Sequence, residues 1–180
     1  MDEDGIKKCF AIPPITGLSS VYLLRLSLKD SKQNTRSINW YWLSQKPDQL
    51  AWSKSKWYYT PQSGFTDFKP LKNLPATTLN VNYSTDKKEK ETKHLITIKN
   101  TGKAVAFFVH LRVLKDKNAD DILPVIFSDN YISLAPGEGR TIECSYENKD
   151  AVGTKPYVLT TGWNLNVAGS KASGNAGFEK

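Results

Sequence analysis

Trp40, Trp42, Trp52, Trp57, Tyr58 and Tyr59 crowd one short stretch of this chain. Flat aromatic faces stack on sugar rings, and the same faces anchor protein interfaces. Trp40 and Trp42, two residues apart in an aromatic run, are expected to share one face and pack in a core. Trp52, Trp57 and Tyr58 sit among loop residues and are the candidates for contact with a glycan or a neighbouring domain. Both uses stay open on sequence grounds.

Acid–base chemistry has weaker material. A glycosidase-type pair of carboxylates could be sought among Asp120, Asp121, Asp129, Glu138 and Glu143. None lies in an apolar pattern that would raise its pKa, so structural roles are expected, and no catalytic residue is assigned. Asp129-Asn130 can hydrogen-bond its own backbone between two strands. His94 precedes a strand and His110 sits on the outward side of another, so both are expected as surface or half-buried structural residues. Neither has partners at metal-ligand spacing, and no metal site is assigned. Cys144 alternates with Ile142 and Tyr146, which marks a buried, inert thiol. No glycine-rich phosphate loop stands between a strand and a helix, so no cofactor is expected.

The elements that carry these residues have a period of two. Tyr22, Leu24, Leu26 and Leu28 alternate with Arg25, Ser27 and Lys29, and Ser37–Leu43 forms a second strand. Four prolines, Pro47, Pro61, Pro70 and Pro75, then mark a loop-rich stretch ending in a linker. Beyond Pro75 the strands are regular. Leu79, Val81 and Tyr83 alternate with asparagines, and Leu95–Ile98 follows. Asn100-Thr101-Gly102-Lys103 reads as a hairpin turn. Val105, Phe107, Val109, Leu111 and Val113 should face inward, with Phe108, His110 and Arg112 outward. Ala135-Pro136-Gly137-Glu138 suits a type II turn. Trp163 shares a parity with Leu159 and Leu165 and is expected in the core. About seven short strands with turns every 8–12 residues indicate an all-β, immunoglobulin-like antiparallel β-sandwich. One complete domain over 77–168 would be preceded, over 1–76, by part of a second sandwich plus linker. A flexible tail would occupy 169–180. Two or three strands alone make a marginal domain.

Composition closes other routes. The 180 residues are 39% hydrophobic and 24% charged, with net charge +7, and suit a folded chain. The run Lys87–Lys93 mixes signs and reads as a solvated loop. The four arginines are scattered, so the clustered cations of a nucleic-acid site are missing. No apolar run reaches the roughly 18 residues of a membrane helix, and the acidic start Met1-Asp2-Glu3-Asp4 is unlike a secretory leader.

Several stretches in order resemble the C-terminal region of glycoside hydrolase family 2 enzymes. They are Val21–Asp30, Ser37–Ser44 with Leu71–Pro75, Ile98–Phe108 continuing to Val113, Leu123–Tyr131 with Leu134–Glu138, and Gly162-Trp163-Asn164. The branch is that of exo-β-glucosaminidases, β-mannosidases and mannosylglycoprotein endo-β-mannosidases. The resemblance implies a jelly roll, an immunoglobulin-like domain, a catalytic barrel and further immunoglobulin-like domains in the parent. It makes Asp129, Asn130, Tyr131, Pro136, Gly137 and Trp163 structural signature residues. The family's two catalytic glutamates lie on the barrel, and nothing here matches their motifs. The chain would then be a non-catalytic accessory region whose partners are the barrel and other domains of the parent, with no nucleic acid and no membrane. The resemblance also implies an exported parent. An oligosaccharide bound by exposed aromatics, or an adhesion-type protein module, are the alternatives. The abrupt N-terminus suggests a piece of a longer chain, and Pro61–Phe68 departs from the pattern as an insertion.

Overall fold

A computed structural model describes residues 5–117, 120–166 and 171–172. The chain divides into two units, Met1–Asn73 and Leu74–Lys180.

In the first unit, strands β1 (Val21–Lys29) and β2 (Thr35–Ser44) form an antiparallel pair from Val21 opposite Ser44 to Lys29 opposite Thr35. Asp30 closes their turn: its carboxylate accepts the Lys32 and Asn34 backbone N–H groups at 2.9 Å. The Asn34 N–H is the main reason its carboxyl stays below the usual range. β3 (Gln49–Leu50) and β4 (Gln62–Gly64) make a second small pair, flanked by 3₁₀ turns at Trp52–Lys54 and Lys69–Asn73. Among residues 5–73, Val21 alone is buried. The expectation that Trp40 and Trp42 pack in a core is therefore corrected. Trp42 is 48% exposed and Trp40 half-buried. Both lie on the β1–β2 pair opposite Arg25 and Leu23, where no second layer buries them among the described residues of this unit.

The second unit is a sandwich. One sheet pairs β5 (Leu79–Lys87), β6 (Glu91–Asn100), β10 (Gly139–Glu147) and β8 (Ile126–Phe127), with β12 (Lys171–Ala172) parallel to β5 at its edge. The other has the order β11 (Tyr157–Thr161), β7 (Ala106–Leu114), β9 (Ile132–Leu134). Ile96, Ile98, Ile142 and Cys144 of the first sheet meet Val109, Leu111, Val113, Leu134 and Val158 of the second in one core. Each such buried aliphatic side chain contributes roughly 1.5–3 kcal/mol. The architecture is all-β and immunoglobulin-like. Of the expected tail over 169–180, only Lys171–Ala172 lies within the described residues.

Three expectations are corrected here. The run 87–93 is an exposed loop only over residues 88–90; its flanks belong to the β5–β6 hairpin, with pairing out to Lys87 opposite Thr92. Residues 101–105 do not form a hairpin, because β6 and β7 belong to different sheets and the segment arches between them. The inward parity of β7 also changes. Ala106 pairs with Leu134 and Val109 with Ile132, so β7 holds one residue more than its partner, a β-bulge. Phe108, at φ 55, absorbs it. Ala106 joins the main core cluster, and Phe107, buried at 3% exposure, lies outside that cluster against Phe108 and Trp163.

Candidate functional site

The candidate aromatics of the first unit sit on a loop pinned at three levels. Ala51 N–H donates to the Pro61 carbonyl at 2.8 Å, the Ser55 and Thr60 hydroxyls meet at 2.7 Å, and Lys56 N–H donates to the Tyr59 carbonyl at 2.7 Å. This tight turn holds Trp57 and Tyr58 at its tip, edge to face with ring centroids 5.0 Å apart. Trp57 is 94% exposed, and Trp52 and Tyr58 are exposed too. Trp52 opens the 3₁₀ turn on the other arm of the loop. The structure thus brings Trp57 and Tyr58 together and gives Trp52 no ring contact with them. Residues 49–66 include Lys54 and Lys56 and no acidic residue. Asp48 stabilises the base of this region, accepting from Gln62 Nε2 and Thr66 N–H at 3.0 Å.

Most of the residues expected as structural signatures in the second unit take part in defined local contacts. Asn130 Oδ1 accepts the Leu111 N–H and its Nδ2 donates to the Leu111 carbonyl, both at 2.9 Å. The amide thereby continues the β7 ladder just before β9 begins at Ile132. Asp129 accepts the Asn130 N–H and pairs with Arg140. Tyr131 has φ 53, a left-handed conformation that costs a bulky residue roughly 1–2 kcal/mol. It places the ring parallel to His110, with centroids 4.3 Å apart at 11°, and 4.9 Å from Phe108. Gly137 has φ 76 in a turn closed by Glu138 N–H on the Ala135 carbonyl, while Glu138 Oε2 accepts the Ala135 N–H. That backbone suits glycine at the third turn position. Trp163 departs from its expected place in the core. β11 ends at Thr161, so period-two parity lapses, and Trp163 stands 54% exposed with its edge against Phe107.

Four of the five carboxylates considered for acid–base work, Asp121, Asp129, Glu138 and Glu143, are engaged elsewhere. Asp121 forms a bidentate pair with Arg112 at 2.8 and 2.7 Å. The Arg112 hydrogen bonds hold its carboxyl below the usual range. Glu143 meets Lys93 Nζ at 3.0 Å, and Glu138 closes its turn. His94 corrects another expectation. It lies inside β6 and is 2% exposed, with Nδ1 2.9 Å from Thr85 Oγ1 and Nε2 3.3 Å from the Tyr146 hydroxyl. Burial pushes its pKa down to about 4. A small cavity of about 140 Å³ beside it is lined by Thr85, Thr92, Tyr146, Asn148 and Thr154. Burial also pushes the Cys144 thiol up to about 12, which suits an unreactive group.

Two asparagines matter more than the sequence suggested. Asn164 Nδ2 donates to the Pro75 and Val105 carbonyls at 2.7 and 2.8 Å, and its Oδ1 accepts the Phe107 N–H at 2.9 Å. Asn100 Nδ2 donates to the Ala104 and Leu134 carbonyls. Its Oδ1 accepts from Thr77 Oγ1 and Gly102 N–H. A Cβ on Gly102 would stand 2.1 Å from Thr77 Oγ1, which explains that glycine. The local signal was an amide where a strand gives way to a turn; partners far along the chain carry no local signal.

Residues 57–165 match the family model described as the exo-β-D-glucosaminidase Ig-fold domain. An exo-β-D-glucosaminidase of Amycolatopsis orientalis is 40% identical over 167 residues, 91% of this chain and 16% of that protein. One from Streptomyces avermitilis is 37% identical over 153 residues, 83% of this chain and 17% of that protein. A mannosylglycoprotein endo-β-mannosidase of Lilium longiflorum is 42% identical over 82 residues, 42% of this chain and 8% of that protein. The crystal structure of the Amycolatopsis orientalis exo-chitosanase superposes with a TM-score of 0.78 at 39% identity, covering 86% of this chain and 18% of that one. The chain thus spans about a sixth of the length of the glucosaminidases it matches.

Proposed function

Since the chain belongs to the exo-β-D-glucosaminidase Ig-fold family, we propose that it is a non-catalytic accessory region of a glycoside hydrolase, bracing a catalytic barrel that this sequence does not contain. The parent hydrolyses a β-D-glucosaminide, as the names of the relatives imply. Residues 1–76 are the back part of a preceding sandwich plus linker, and 77–168 are the last sandwich.

The observation that carries this reading is a fold without a core. β1 and β2 pair along their whole length, yet among residues 5–73 Val21 alone is buried. An antiparallel pair with apolar residues on both faces needs covering layers to be stable. In the second unit the sandwich interior is filled mainly by aliphatic side chains, and Asp121, Asp129, Glu138 and Glu143 are held by Arg, Lys or backbone N–H groups. Trp52, Trp57 and Tyr58 serve as anchors against another domain. The 180-residue chain should show no turnover of p-nitrophenyl β-D-glucosaminide. Turnover lost on Asp129→Asn or Glu143→Gln would overturn the reading.

The exposure of Trp57 favours one further reading, stacking on a saccharide. The flanking Lys54 and Lys56, with no acid in 49–66, repel a polycationic glucosamine chain, so a neutral glycan such as mannan would be the ligand. Retardation in mannan, abolished by Trp57→Ala, would support it.

A further inference from the structure

A cavity of about 490 Å³ lies wholly within the first unit. Its walls come from the end of the β1–β2 pair and from the β3–β4 pair, and carry Ser20, Gln45, Lys46, Gln49, Phe65 and Asp67. Cavities of roughly 300–1,000 Å³ are the size that takes a small organic ligand. Hydrogen bonds hold the walls in place. Thr66 Oγ1 donates to the Lys46 carbonyl at 2.8 Å, and the Thr66 N–H is the one that Asp48 accepts. Gln45 N–H donates to the Ser20 carbonyl at 3.0 Å, and Gln45 Nε2 donates to the Leu18 carbonyl. Asp67 Oδ1 accepts the Lys69 N–H at 2.9 Å. A frame built before the ligand arrives lowers the ordering cost of binding.

The frame leaves several groups unused. Among the described residues, the Phe65 ring is 76% exposed and meets no other ring, Lys46 Nζ has no ion pair, and Asp67 Oδ2 and the Gln49 side-chain amide have no hydrogen bond. One ammonium against one carboxylate leaves the lining without net charge, so it favours neither a phosphate nor a polycation. A flat ring beside mixed donors and acceptors suits a pyranose, whose C–H face stacks on the ring while its hydroxyls bond the amide, the ammonium and the carboxylate. The centre of a domain contact would differ, being apolar and poor in charge.

We infer that this cavity is a saccharide-binding subsite that takes a short stretch of neutral pyranose units. The inference rests on the accessory reading above for its ligand class, since the matched relatives are named as glycosidases. Phe65 stacks on the sugar's C–H face. Asp67 Oδ2 accepts from a hydroxyl, and Lys46 and Gln49 donate to hydroxyl oxygens. The subsite uses no residue of the Trp57–Tyr58 tip, so the two can be separated by substitution.

The test titrates the 180-residue chain with trimers of N-acetylglucosamine, of mannose and of glucosamine, and follows binding by NMR. At least one neutral trimer should bind at millimolar concentration, more tightly than the charged glucosamine trimer. Phe65→Ala and Asp67→Asn should each weaken that binding by about tenfold, while Trp57→Ala leaves it unchanged. Both cavity side chains are exposed, so the variants should keep the wild-type urea unfolding curve. Failure of both neutral trimers to bind overturns the subsite and leaves the accessory reading standing. So does binding that survives both cavity variants and is lost with Trp57→Ala. A glucosamine trimer that binds more tightly than both neutral ones overturns the neutral ligand class. Cleavage of any trimer by the chain overturns the accessory reading itself.

Discussion

Acidification should destabilise the sandwich through His94. The ring is buried between Tyr83 and Tyr146, centroids 5.6 Å away on each side. Its two nitrogens meet the Thr85 and Tyr146 hydroxyls. Those hydroxyls can accept as well as donate, so protonation costs desolvation and not lost hydrogen bonds. The folded pKa is about 4 against an ordinary 6.5, so the fold favours the neutral ring. The stability it confers is complete above pH 6.5, falls as pH drops from 6.5 to 4, and has no further to fall below that. At about 1.36 kcal/mol per unit the loss comes to about 3 kcal/mol, a large share of the roughly 5–15 kcal/mol that holds a domain together. His110 is also lowered, by burial and by Arg112, and contributes in the same direction. Urea unfolding of the chain between pH 7.5 and 4, compared with His94→Gln, therefore isolates the His94 share. A glutamine at that position keeps a hydrogen-bonding group and has no proton to gain. The wild-type chain should lose about 3 kcal/mol more than the variant over this range. Equal pH slopes, or a His94 ring resonance titrating near pH 6.5, would refute the reasoning.

Removing the Asn164 side chain should leave the Pro75 and Val105 carbonyls and the Phe107 N–H without the partners they have now. At roughly 1–3 kcal/mol per orphaned buried group, Asn164→Ala should cost about 3 kcal/mol or more in urea unfolding; a loss under about 1 kcal/mol would count against the clamp. Ellman's reagent should titrate one thiol in the native chain, the exposed Cys9, and two in urea, because Cys144 is buried with its pKa pushed up to about 12. Rapid labelling of both in buffer would contradict that. Trp57→Ala should change the stability of the chain by no more than about 0.5 kcal/mol in urea unfolding, since the ring is 94% exposed.

Much of the site region was legible because it depends on local pattern. The Pro136-Gly137 turn needs a residue at φ 76, and the dipeptide announces it. Cys144 alternates with Ile142 and Tyr146, and all three are buried. Trp57 and Tyr58, placed in a loop by their neighbours, do stand exposed on one. Trp163 and His94 were misplaced for the same reason. Strand bounds are misjudged in both: the pattern carries to Trp163 past the end of β11 at Thr161, and it starts β6 at Leu95 although the strand begins at Glu91.

Alternation of apolar and polar residues decided the fold class, since a period of two leaves each strand one face to bury and a sandwich buries it. Ordered stretches from Val21 to Asn164 decided the family. Tertiary structure alone decided the parity of β7. Its bulge arises from pairing with β9, more than twenty residues away, and it sends Ala106 into the core and Phe107 against Trp163. It also decided the partners of Asn100, Asn130 and Asn164. An amide can bond any backbone that comes near, and only the folded chain brings Leu134, Leu111 and Pro75 within reach.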